Sequence, residues 1–198
     1  MRILAVTGGI GSGKSYIVRM FSAMGLAVYD ADSRTKALYD TRPELMEELR
    51  LLLGNAIVSD GRIDRRRMAE AIFSDRKLLS RVEEIVFPYV RDDTRNWEKN
   101  IGARFPGMPF AVLESAIILE RPSLSGWADK VLTVSSPLEL RIARVMQRSA
   151  LSIREIKARL QNQWTDGMRE KAADYIVYSD GVRPLLPQLE AVYMEMLK

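Results

Sequence analysis

The sequence predicts an α/β fold built on a five-stranded, parallel sheet, and three observations carry that prediction. Five short apolar runs, at residues 3–7, 26–29, 110–113, 131–134 and 175–177, are mostly continuous rather than alternating. Strands buried on both faces read this way, because neither side has to meet water. Helical patterns separate the runs, as crossovers between parallel strands require. Finally, the first run leads directly into Gly8-Gly9-Ile10-Gly11-Ser12-Gly13-Lys14-Ser15, which fits G-x-x-x-x-G-K-[ST], a strand-to-helix turn that binds phosphate.

That turn is the first element after strand one. Its glycines Gly8, Gly11 and Gly13, with Ser12 between them, let successive backbone N–H groups curl around a polyphosphate. The helix opening at about Gly13 points its positive end to the same place. Lys14 is placed to reach β- and γ-phosphate oxygens, and the Ser15 hydroxyl to bind Mg²⁺. The second run ends on Tyr29-Asp30-Ala31-Asp32. Neighbouring strands of a parallel sheet share a ligand crevice at their carboxyl ends, so Asp30 and Asp32 are expected to face the phosphate loop, where a carboxylate can accept the proton of an attacking hydroxyl or hold Mg²⁺ through water. For Asp32 the plainer alternative is to cap a helix beginning near Ser33.

From there, residues 33–105 read as helix throughout, with Leu78, Leu79, Val82, Ile85 and Val86 on one face and a turn at Gly61. This segment is expected to be an inserted helical subdomain, leaving a core of 1–32 and 106–198. Within it Arg62, Arg65, Arg66 and Arg67 form a basic cluster, either an anion grip or a solvated face. The third run ends on Glu114, where an acid acting on Mg²⁺ through water belongs; pairing with a nearby Lys or Arg is the alternative. Glu120 is a weaker candidate for the same work.

Two capping boxes, Ser136-Pro137-Leu138-Glu139 and Ser152-Ile153-Arg154-Glu155, predict two helix starts. On the first of these helices Arg141, Arg144 and Arg148 form a row of cations beside an apolar seam of Leu138, Ile142, Val145 and Met146. The row either closes over the phosphates or stays solvated. A last amphipathic helix carries Leu185, Leu186, Leu189, Val192, Tyr193 and Met196.

Composition narrows the chemistry. The 198 residues include no Cys and no His. Thiolate nucleophiles, disulfides, imidazole bases and Zn²⁺ sites built on Cys or His are therefore excluded. A catalytic proton must go to a carboxylate, Lys or Tyr, and a metal must be held by oxygen, which favours Mg²⁺ or Ca²⁺. Hydrophobic residues make up 47%, enough to bury a core. The net charge of +4 suits an anionic substrate without demanding nucleic acid. No apolar run approaches the ~20 residues of a membrane span, and the N-terminal run is too short for a signal peptide, so a cytoplasmic location is expected.

Taken in order, TGGIGSGKS, YDAD, DGRIDRRRM, Phe87-Pro88, VLESAIILE, SPLELRIARVMQR and ADYIVYSDG resemble the dephospho-coenzyme A kinase family over nearly the whole chain. The resemblance implies a P-loop NTPase three-layer core, an inserted helical substrate domain and a helical lid over about 140–165. It carries the catalytic acid to Asp32, the lid arginine to Arg144 and ATP contacts to Gly11 through Tyr16, Lys14 among them; from the arginine row, Arg148 is a further candidate for binding ATP. The chain departs from the family where Tyr16 replaces a usual Thr and Phe87-Pro88 a usual His-Pro. Ala116-Ile117-Ile118-Leu119-Glu120 stands for Pro-Leu-Leu-Phe-Glu, and Ser179-Asp180-Gly181 for Asn-x-Gly.

The expected activity is ATP- and Mg²⁺-dependent phosphorylation of the ribose 3′-hydroxyl of dephospho-coenzyme A. Another small-molecule or nucleoside monophosphate kinase of the same architecture is the nearest rival. A GTP-binding switch lacks its Asn-Lys-x-Asp signature here, and a nucleic-acid-binding ATPase lacks an RNA motif or basic tail. Neither nucleic acid nor membrane is expected as a partner.

Overall fold

The computed structural model describes residues 1–72, 75–124, 126–149 and 152–198. Residues 73 and 74 of the expected insertion and 150 and 151 of the expected lid lie outside them. Two compact units are formed, one of Met1–Asp30 with Ile101–Lys198 and one of Ala31–Asn100. The segment read from the sequence as 33–105 thus begins two residues earlier and ends five residues sooner.

The first unit holds a five-stranded sheet. Its strands are β1 (Arg2–Thr7), β2 (Val28–Asp30), β5 (Phe110–Glu114), β6 (Lys130–Ser135) and β7 (Tyr175–Tyr178). Their spatial order is β2-β5-β1-β6-β7, and every pairing is parallel. The central strand β1 is buried from Ile3 to Thr7, and β5 from Phe110 to Leu113, so their apolar runs are continuous because both faces are covered. Helices α1 (Lys14–Ala23) and α9 (Leu185–Leu197) help to cover them. Leu4, Val6, Phe21, Phe110, Val112, Val177 and Leu189 form one core, closed by an edge-on contact between Phe21 and Phe110. On α9, Leu189, Val192 and Met196 are buried as the helical spacing predicts, while Leu186 is exposed.

The chain leaves β1 for β2 on one side, beyond β5, and later returns to add β6 on the other. The carboxyl end of β1 is therefore the point where the winding reverses, the place where such sheets bind ligands. Register puts Val6 beside Glu114 and Asp30 beside Glu114, so the acid ending β5 lies between the ends of β1 and β2.

The second unit is mostly helical, with α2 (Ala31–Thr41), α3 (Pro43–Leu53), α4 (Arg65–Ile72) and most of α5 (Arg76–Arg104). Phe87-Pro88 lies inside α5, and Val82, Val86 and Val90 form its buried stripe. It is not helical throughout: β3 (Val58–Ser59) and β4 (Arg62–Ile63) pair as a short antiparallel hairpin. Asp60, at φ 51°, and Gly61, at φ 71°, both adopt the left-handed conformation of a primed turn. That pair is the local signal, outweighed in the sequence by the long helical patterns on either side.

Beyond β6 run α6 (Leu138–Arg148), α7 (Ile153–Gln161) and α8 (Asp166–Ala172). The Ser152–Glu155 capping box is present. The Ser136 box is not: α6 starts at Leu138 behind Pro137, and the Ser136 hydroxyl donates instead to Ser179 O at 2.8 Å. The expected apolar seam of α6 is also rearranged, since Leu138 is 49% and Met146 54% exposed, whereas Arg141 and Val145 are buried. Among the described residues no helix is long and apolar enough to cross a membrane.

Candidate active site at the phosphate loop

The turn after β1 folds into a tight loop because its glycines permit it. Gly13 is the N-cap of α1 at φ 102° and Gly11 sits at φ 78°. Both angles lie in the left-handed region that L side chains avoid. Gly11 carries a second constraint, because a Cβ there would collide with the backbone of Arg141. Lys14, the first residue of α1, turns back over the loop and donates from Nζ to Gly8 O at 2.7 Å and Gly9 O at 3.3 Å. The adjacent Ser15 hydroxyl donates to Glu114 Oε1 at 2.8 Å. The loop lysine, the loop serine and the acid at the end of β5 thus meet at the winding reversal. Beneath the loop the hydroxyls of Thr7 and Ser12 are buried and make no hydrogen bond among the described residues.

Arg144 lies against the loop from α6. Its Nη1 donates to Ser12 O at 3.2 Å, Gly11 O at 3.5 Å and Ser136 Oγ at 3.1 Å, while Nη2 donates to Ser179 O at 3.0 Å. It is therefore a clamp on the loop carbonyls here. Ser179, one of the departures from the family pattern, contributes through its backbone, which any side chain preserves. Arg148, one turn further along α6, is exposed, and so is Tyr16, whose ring faces Arg19 at 5.7 Å. Arg141 is not part of a cationic row toward solvent: its Nη1 pairs with Asp166 Oδ2 at 2.6 Å. Glu120 pairs with the fully buried Arg169.

In the second unit Asp32 is the second residue of α2 rather than its cap, because the helix begins at Ala31. A carboxylate in the first turn faces the positive end of the helix dipole, a favourable place for negative charge. Two residues on, Arg34 makes a bidentate pair with Asp93 of α5, Nε to Oδ2 at 2.8 Å and Nη2 to Oδ1 at 2.6 Å. That fork fixes the start of α2 against α5. Tyrosines offer no rival base in this unit. Burial pushes the Tyr39 hydroxyl up against the opposing charge of Arg65, and the hydrogen bond of Tyr89 to Glu48 pushes it up to about 12.

Comparison with known proteins decides the family. The family model described as Dephospho-CoA kinase matches residues 2–183. The chain belongs to the dephospho-CoA kinase family. A dephospho-CoA kinase of Bacteroides fragilis is 33% identical over 189 residues, covering 94% of this chain and 88% of the relative. A crystal structure from Thermus thermophilus superposes with a TM-score of 0.83 at 34% identity, covering 98% of this chain and 97% of the other. A dephospho-CoA kinase structure from Campylobacter jejuni, at 23% identity, TM-score 0.57 and 98% and 97% coverage, shares the fold. As a dephospho-CoA kinase the chain is an ATP-using phosphotransferase of the last step of coenzyme A biosynthesis.

Three residues that the sequence reading passed over belong to this site: Gln163, Asp166 and Arg169. Gln163 reaches Ile10 of the phosphate loop across 153 residues, and Asp166 pairs with Arg141 across 25. No local spacing announces them.

Proposed function

We propose that this dephospho-CoA kinase transfers the γ-phosphoryl group of ATP to the ribose 3′-hydroxyl of dephospho-coenzyme A, with Asp32 as base and the loop after β1 as phosphate cradle. The convergence of Lys14, Ser15 and Glu114 at the end of β1 is the observation that carries this reading. The 3′-oxygen attacks the γ-phosphorus, its proton passes to Asp32, and the bond from phosphorus to the bridging oxygen breaks, leaving ADP. Lys14 holds the β- and γ-phosphate oxygens, and amides from Gly11 to Tyr16 line the rest of the cradle.

A divalent cation fits the donors present. Among the described residues no cluster of three or more acidic side chains could cage a metal alone. The Ser15 hydroxyl and the Glu114 carboxylate are hard oxygen donors, a set suited to Mg²⁺ that keeps phosphate oxygens and waters. Ser15 and Glu114 would hold such an ion, and its chemistry there would be to offset the negative charge of the triphosphate. The acceptor is a small molecule rather than nucleic acid, and a reaction fed by ATP belongs in the cytoplasm.

For Arg144, and Arg148 beyond it, the proposed role is to stabilise the transferring phosphoryl group as the segment over about 140–165 closes. Arg144→Ala is expected to lower kcat by more than it raises KM for ATP. Because four acceptors lose the Arg144 guanidinium, though Ser179 O keeps the Ser136 hydroxyl, a fall in melting temperature should accompany it, the equivalent of about 2 kcal/mol. A change in melting temperature with kinetics intact would leave Arg144 as a clamp only.

The acceptor is tested by ADP release with ATP and Mg²⁺ against dephospho-coenzyme A, nucleoside monophosphates, shikimate and RNA. Dephospho-coenzyme A should stimulate well above the rest. Equal stimulation by another acceptor would overturn the assignment.

A further inference from the structure

Ile10 of the phosphate loop is gripped at both its backbone N–H and its backbone C=O, so that the two peptides flanking it are each held once. Ile10 N–H donates to Gln163 Oε1 at 2.9 Å, and Arg141 Nε donates to Ile10 O at 3.0 Å. Gln163 lies in the short connection between α7 and α8, and Arg141 on α6. Behind them runs a chain of alternating charges. Arg141 Nη1 donates to Asp166 Oδ2 at 2.6 Å, Arg169 Nη1 donates to Asp166 Oδ1 at 3.3 Å, and Arg169 Nη2 pairs with Glu120. Glu120 in turn accepts from the Trp164 amide at 3.2 Å, beside Gln163. Arg169 is 0% and Arg141 5% exposed. Such buried pairs add little net stability over apolar packing, because desolvation offsets the attraction.

Their geometric effect follows from peptide planarity. A trans peptide aims its N–H opposite to its C=O. Holding Ile10 N–H at Gln163 therefore turns the preceding Gly9 C=O the other way, where it accepts from Lys14 Nζ at 3.3 Å and from Ser12 N at 3.2 Å. Holding Ile10 O at Arg141 likewise turns Gly11 N–H away from α6. Without these two anchors the glycines flanking Ile10 leave both peptides free to rotate. A rotated peptide would present a carbonyl oxygen to the triphosphate in place of an amide, and Lys14 would lose one of its two rests. At Gly9 itself a Cβ would run into the Arg141 guanidinium, so the grip requires glycine there.

We propose that Gln163 is a positioning residue for ATP: held by the Arg141–Asp166–Arg169–Glu120 chain, it sets the Gly9–Ile10 peptide and through it the phosphate loop and Lys14. The inference rests on the loop being the ATP phosphate site. Gln163→Leu keeps most of the side-chain volume and removes the acceptor. In the full-length enzyme it is expected to weaken ATP binding, measured by titration calorimetry, by about tenfold, the equivalent of one hydrogen bond. KM for dephospho-coenzyme A should stay within about twofold and the melting temperature within about 3 °C. ATP affinity within about twofold of wild type would overturn the proposal. So would a parallel rise in KM for both substrates with a lower melting temperature, the mark of general loosening. Arg141→Lys supplies an independent reading, since one ammonium cannot span Ile10 O and Asp166 as the fork does. It too must weaken ATP selectively for the proposal to stand. Lys14→Ala in the same titration separates the two claims. If it weakens ATP and the Gln163 variant does not, only the positioning role falls; if neither does, the loop assignment falls with it.

Discussion

Lys14→Ala is expected to lower kcat/KM for ATP by on the order of 10²–10³-fold, the loss found when one preorganised donor to developing charge is removed. The expectation follows from where the ammonium sits. Lys14 Nζ rests on Gly8 O and Gly9 O, at the mouth of the loop. Binding ATP exchanges two neutral acceptors for charged phosphate oxygens, a stronger partnership. The interaction is present with bound ATP and strengthens as charge builds on the bridging oxygen, so KM for ATP rises and kcat falls together. Lys14→Met should behave almost as badly, because it restores the stem and not the charge. Near wild-type activity in either variant would show the glycine-rich turn to be structural only.

Much of this core was legible because its signals are local. Continuous apolar runs required strands covered on both sides, and Leu4, Val6, Val112 and Leu132 are indeed fully buried. The phosphate loop is written in eight consecutive residues, and Glu114 is found by counting to the end of a strand. What failed was local pattern without knowledge of its partner. Ser136 looks like a helix cap, but Ser179 and Arg144 compete for its hydroxyl and win. Leu138 and Met146 look like a core seam, but the neighbouring surface wants Arg141, because an acid at Asp166 and the carbonyl of Ile10 already wait there.

The hairpin at Gly61 failed for a different reason. Two-residue strands are too short to show a period, and only the turn at Asp60-Gly61 announces them. The loop grip by Gln163 had no signal at all. A glutamine between two helices is ordinary in sequence, and its partner is 153 residues away. Residues whose work is to hold another residue's peptide become visible only when the chain is folded.

Asp32→Asn should separate chemistry from folding in the second unit. Asp32 is the second residue of α2, and the fork between Arg34 and Asp93 holds that turn whatever stands at position 32. Asparagine is nearly isosteric. It gives up a charge at the positive end of the helix, worth about 0.3–1 kcal/mol, so the melting temperature should barely move. Catalysis has more to lose. An amide cannot take the proton of the 3′-hydroxyl, and removing a general base costs on the order of 10²–10⁴-fold in kcat. ATP affinity should be retained, because Lys14, Ser15 and the loop amides are untouched. The combination of lost turnover, normal ATP binding and a normal melting temperature is what a base predicts and a dipole partner does not. Turnover within a few-fold of wild type would remove Asp32 from the mechanism. Asp30, which ends β2 beside Glu114, would then be the carboxylate to replace next.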